Sequence, residues 1–448
     1  MKRLVFFYLL LLSGTVYGQM PNKLTKEDKV YGLSKFWQEV NYNFVYLYKV
    51  DQLKWDELYK EYIGKVQESP NDYEYYRLMQ RFCASLKDGH TNVYFPKYIQ
   101  ENVLNTHYGE YRFILSNVGG KAIVTQINNS KKDELPIGTE IISVNGIATA
   151  DHLRESVYPF IAASTSYTLE DWGISKMLEG YVGTSYDLQL LLPNGLEKQL
   201  TVTIAKSEEK EFFPGLQTRE LLEFKWYPNQ TAYISLNSFS DWEITEMFRK
   251  KNKELKHAKS LIIDLRNNGG GNTSIGKVIL HYLTEDTIFY GSKSQTRQHI
   301  ATFKAWGKDS YFYDLPYSPD TLGSGDKKLL RNKRIVVPTV LLIGHGTASA
   351  AEDFLIYADK QKHMTKIGEP TYGSTGQPLS FNLPEGGIAR VCTKKDTYPD
   401  GREFVGVGIQ PDILVSKSLT DYLENRDPVL EKAFEFLEKQ KSEKLIVN

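Results

Sequence analysis

Ser349 sits in Gly346-Thr-Ala-Ser-Ala-Ala-Glu-Asp353, among the smallest side chains available. Two readings fit it. An uncrowded hydroxyl can attack an acyl carbon once a base takes its proton. The same Ser349-Ala-Ala-Glu352 is also a capping box, with serine at the N-cap and glutamate at N3. Taken alone, the stretch favours the cap. A second loop, Asn267-Asn-Gly-Gly-Gly-Asn272, changes the balance. Consecutive glycines let a backbone come close to a ligand and point N–H groups at negative charge. This loop fits neither the Gly-x-Gly-x-x-Gly fingerprint nor the phosphate-binding loop with its lysine. An oxyanion formed during acyl transfer is the charge left to hold. Two histidines are candidates for the base. His345 shares the loop of Ser349, and His90 lies in Lys87-Asp-Gly-His-Thr91.

The elements that must hold these residues are legible in pattern. Ser260-Leu-Ile-Ile-Asp-Leu-Arg266 and 339–343 read as continuous apolar strands of a parallel sheet, with Pro338 marking the start of the second. Each runs through its loop into a helix, at Ile275 and at Ala350. In an open parallel sheet both loops lie at the carboxyl edge, where ligands bind. Ala232–Leu236 is a further strand, and Asp427-Pro428 opens a last helix. Residues 24–88 read as helical, with Tyr75, Leu78, Met79, Phe82 and Leu86 at helical spacing behind Asn71. Gly89 is expected to stop that helix in a left-handed conformation. His90 would then stand at a helix-to-strand corner, held by two rigid elements. Residues 105–205 change to short strands and turns, with hairpin signals at Gly119-Gly120 and Asn145-Gly146.

"LKDGHT", "LIIDLRNNGGG", "GTASAAEDF", "IGEPTYGSTGQP" and "YPDGREFVGVGIQPDI", in this order, resemble the carboxyl-terminal processing peptidases. That group of serine peptidases includes tail-specific and tricorn-like enzymes. "IGTEIISVNG" is similar to the strand and turn of a PDZ domain, a module that binds peptide ends as an added strand. The resemblance covers the whole mature chain. It implies Ser349 as nucleophile, with oxyanion donors from Gly270 and Gly271 and from the backbone of Ala350. The tail-specific branch uses a lysine where Ser374 stands here, and no lysine lies between Ile367 and Arg390. The tricorn-like branch uses a histidine that His90 matches, so His90 is the implied base. That branch adds a serine before the histidine, where this chain has Gly89, and a distant glutamate. Glu403, Asp88 and Ser374 are the candidates for support.

Composition bounds the rest. Lys2 and Arg3, apolar Leu4 to Leu12 and small residues up to Gly18 have the layout of a secretory signal peptide, too short for a bilayer span. A balance of 55 basic and 55 acidic residues gives no electrostatic case for nucleic acid. Cys83 and Cys392 read as small buried residues, not a framework. No His-x-x-x-His or carboxylate cluster has metal-ligand spacing, and no cofactor is expected. The expected fold is a multidomain α/β protein: signal peptide 1–18, helical region 19–104, PDZ-like β-domain 105–208, and an αβ catalytic domain with a mostly parallel sheet, 209–448. The expected function is an exported serine peptidase, periplasmic or extracellular, acting on protein or peptide. The rival is a binding protein of the same fold without catalysis.

Overall fold

The computed structural model describes residues 20–447, apart from 217–218, 309–310, 323–329 and 331–332. The expected leader, 1–18, lies outside the described residues.

The central sheet runs in the order Leu222–Tyr227, Thr231–Leu236, Ser260–Asp264, Thr339–Ile343, Met364–Gly368, Ile413–Leu414. Its first pair is antiparallel and every later pair is parallel. The three central strands are buried along their length, as their apolar runs require. Alternation divides them between two faces. Ile234, Leu261, Ile263, Leu341 and Ile343 pack with helices Glu243–Leu255, Thr273–Leu280 and Ala350–Ala358. Ile262, Val340 and Leu342 face the carboxyl-terminal helix, Pro428–Val447, through Val429, Ala433 and Leu437. The strands advance in chain order, and the three helices that connect them pack in one shared core on the same face.

Residues 107–213 form an antiparallel sheet, with Tyr111–Val118 and Lys121–Asn128 as its longest hairpin. The expected turns are present, and Gly119, Gly120, Asn145 and Gly146 all have positive φ. Phe212–Phe213 pairs with this sheet at Ile127 and Asn128, so its pairing extends past residue 208. Helix Ser166–Lys176 packs on the sheet through Ile174.

Helices Lys26–Asn43, Gln52–Gln67 and Asp72–Ala84 make the amino-terminal layer. Asn71 caps the third, accepting the N–H of Glu74 at 2.9 Å. The layer does not close on itself. Phe36, Trp55, Tyr75 and Phe82 share a core with Leu383, Ala389 and Val391. Asn92–Tyr94 pairs antiparallel with Ile388–Arg390. Residues flanking His90 are thus stitched to the far end of the chain.

One local expectation is corrected. The third helix ends at Ala84, and the left-handed residue is Lys87, with φ of 51°, rather than Gly89. Gly89 is needed for space instead: a Cβ there would lie 2.7 Å from the Tyr372 ring.

Candidate active site

Parallel pairing of 260–264 with 339–343 sets their following loops side by side. The loops are bonded to each other. Ala348 N–H donates to the Asn268 carbonyl at 3.0 Å, and Thr347 Oγ1 donates to the Leu265 carbonyl at 2.9 Å. Buried Asn268 ties the glycine loop down, donating to the Leu236 carbonyl at 2.9 Å. Gly270, at φ +99°, approaches so closely that a Cβ would meet Ser349 Cβ at 2.7 Å and Ala350 N at 3.0 Å. Gly271, at φ +135°, lies against the Phe239 backbone. Its neighbour's N–H is committed, because Gly270 donates to Asn268 Oδ1 at 3.0 Å.

Ser349 has φ 55° and ψ −119°, a strained geometry for a residue with a side chain. The turn delivers the chain from strand to helix, and leaves Ser349 partly exposed while Ala350 is buried. The helix start favours negative charge there. The expected capping glutamate does more than cap. Fully buried Glu352 accepts the Ser349 N–H at 3.0 Å, the Thr371 hydroxyl at 2.6 Å and the Gly373 N–H at 2.9 Å. Burial pushes its carboxyl up to about 8, against the pull of those donors.

His90 is buried in its corner. Thr91 locks the turn, donating to Asp88 Oδ2 at 2.6 Å and accepting the Cys392 N–H at 3.1 Å. The imidazole Nδ1 lies 2.6 Å from Ser374 Oγ. Burial, with Arg390 and Lys394 nearby, depresses the imidazole to about 4, so it is neutral at pH 7. Ser349 and His90 are therefore both tied to residues 371–374, one through Glu352 and the other through Ser374.

The other candidates point elsewhere. Asp88 turns its carboxylate to Thr91, and burial raises it to about 6. Glu403 pairs with Lys395 at 2.6 Å on a half-exposed surface. His345 holds Asp171 at 2.5 Å and stacks on Tyr167, its centroid 4.4 Å away. Burial opposes its charge, but the Asp171 bond keeps its pKa above the ordinary value. Cys83 and Cys392 are both buried and free. Sequence reasoning missed Thr371, Tyr372 and Asn268 as parts of the site. The available signal was Glu352, one of two carboxylates, with Asp353, in a helix whose other residues are mostly apolar.

Residues 230–415 match the sequence profile of Peptidase family S41. A carboxyl-terminal-processing protease of Synechocystis sp. is 25% identical over 427 residues, spanning 94% of this chain and 89% of the relative. The carboxy-terminal processing protease CtpA of Bacillus subtilis is 26% identical over 195 residues, 43% of this chain and 36% of the relative. Among solved structures, mature CPAF aligns with a TM-score of 0.65 at 14% identity, covering 89% of this chain and 95% of that one. Its complex with lactacystin aligns at 0.64 and 13% identity, covering 92% and 99%. At that identity the likeness concerns the fold alone. The chain is a serine-type peptidase. Its curated relatives are carboxyl-terminal processing proteases, and residues 230–415 carry the match to Peptidase family S41.

Proposed function

We propose that this peptidase cleaves protein or peptide substrates with Ser349 as nucleophile and His90 as general base. The observation that carries the reading is the strained turn at Ser349, pressed against Gly270 and tied through Glu352 to the segment that bonds His90. Ser349 Oγ attacks the scissile carbonyl carbon as its proton passes to His90 Nε2. The carbonyl oxygen becomes an oxyanion, held by the N–H groups of Ala350 and Gly271. Gly270 contributes the absence of a side chain, because its N–H is already taken by Asn268. Collapse breaks the C–N bond, and the leaving amine takes the proton from His90. Water then adds to the acyl-enzyme by the same route and releases Ser349.

The chemistry needs no cofactor. Residues 105–208 are assigned as the PDZ-like region, with 19–104 and 209–448 supplying base and nucleophile. The basic and apolar start of the chain supports export to the periplasm or exterior. No helix among the described residues is long and apolar enough to cross a membrane. A fluorophosphonate probe tests the assignment: it labels the wild type at Ser349 and labels neither Ser349→Ala nor His90→Ala. Normal labelling of a folded His90→Ala variant would overturn the assignment of the base.

A further inference from the structure

A histidine base works only in one tautomer. For Nε2 to take the Ser349 proton, Nδ1 must carry the hydrogen, and something must accept it. Asp88 and Glu403 do not fill that place, since their carboxylates are held by Thr91 and Lys395. The group at Nδ1 is the hydroxyl of Ser374, at 2.6 Å and fully buried. We propose that Ser374 is the positioning residue of this site: its Oγ accepts the His90 Nδ1–H, fixes the imidazole tautomer, and leaves the Nε2 lone pair for Ser349. The proposal rests on the assignment of His90 as base.

The backbone around Ser374 is built for that task. Tyr372 N–H donates to the Thr347 carbonyl at 2.9 Å, two residues before the nucleophile. Gly373 N–H donates to Glu352 at 2.9 Å, and Gly373 O accepts the Gly406 N–H at 2.8 Å. Gly373 has φ +70°, and a Cβ there would lie 2.7 Å from Gly408 N and from Thr165 Cγ2. Thr371 N–H donates to the Ile409 carbonyl at 3.1 Å. Its hydroxyl accepts the Ile409 N–H at 2.7 Å, which leaves its hydrogen for Glu352. On the far side, Thr375 Oγ1 donates to Asp396 at 2.7 Å. Ser374 thus stands on a strip fixed at every neighbouring residue and referenced to the turn at Ser349. Glu352, read from sequence as a helix cap, keeps nucleophile and base in register.

A neutral hydroxyl suits these surroundings. Arg390 and Lys394 are the charges facing the imidazole, and both disfavour imidazolium. The hydroxyl sets direction without adding a second buried carboxylate beside Asp88.

The test compares Ser374→Ala, Ser374→Thr and the wild type by peptide hydrolysis and by imidazole 15N NMR of the full chain. The expected result for Ser374→Ala is a kcat lowered by roughly 10- to 1,000-fold at unchanged KM, with unfolding temperature kept. Ser374→Thr, which retains a hydroxyl, recovers most of the rate. In the wild type the 15N spectrum shows the hydrogen of His90 on Nδ1, and Ser374→Ala shows both tautomers. A wild-type hydrogen on Nε2, or a folded Ser374→Ala with full kcat, overturns the proposal. If His90→Ala itself remains active, it is the assignment of the base that has failed.

Discussion

Gly270 and Ser349 are in contact at a distance that admits no further atom: a methyl group on the first would stand 2.7 Å from Cβ of the second. The glycine loop and the turn at Ser349 are therefore one surface. Gly270→Ala should fold, yet lose about 100-fold or more in kcat/KM, because a shift of that size displaces the hydroxyl from its attack line. Steady-state kinetics beside circular dichroism would show it; near-normal kcat/KM would refute the close packing.

His90 is depressed to about 4 by burial and two cations. The acid limb of kcat/KM should accordingly lie well below the ordinary 6.5 of a histidine. Stability has a matching sign. The unfolded chain takes up the proton first, so stability is full above 6.5 and falls as the pH drops toward 4, by on the order of 3 kcal/mol. A pH–rate profile and acid unfolding curves measure the two. A limb at 6.5 would mean that His90 is solvated in the working enzyme.

Glu352 accepts three donors in a buried place. Above pH 8, where the carboxyl is ionised, Glu352→Gln turns an amide N–H₂ toward one of them and leaves it unsatisfied, at a cost of about 1–3 kcal/mol. Thermal unfolding should show the loss, and kcat should fall with it, because residues 371–374 lose their reference to Ser349. Unchanged unfolding would contradict the hydrogen-bond assignment.

Gly89 precedes His90 and leaves no room for a side chain. Placing a serine there should harm this chain. Gly89→Ser places Cβ 2.7 Å from the buried Tyr372 ring, beside both His90 and the strip that holds Ser374. We expect lower stability and lower kcat, measured as above. Higher activity would show that the serine can still serve.

His345 supplies the control. Bonded to Asp171 and stacked on Tyr167, it faces the helix of the antiparallel region. His345→Ala should retain fluorophosphonate labelling of Ser349, and loss of labelling would reopen the choice of base.

The strand–loop–helix units around Ser349 and the glycines were legible because buried parallel strands write themselves as apolar runs, and glycines mark the loops that end them. His90 was legible as a corner residue, but its choice over His345 came from family resemblance. The orientation of that histidine was not legible. Ser374 and His90 are 284 residues apart, and a single hydroxyl leaves no periodic trace. Nor does Asn92–Tyr94 announce its partner. A three-residue strand is too short to carry a pattern, and it exists because Ile388–Cys392 pairs with it. Glu352 was half read: its cap is local, while Thr371 and Gly373 are reached only in the folded chain.

The stitching of the amino-terminal layer to residues 378–392 also sets a schedule. A growing or still unfolded chain carries its histidine early and its serine late, with no surface on which they meet. On the proposed assignment, hydrolysis requires the strand after His90 to be on its partner and Ser374 to be at the imidazole. Folds that depend on contacts this distant in sequence form more slowly. A chain that stops short of residue 388 lacks the partner of the strand after His90.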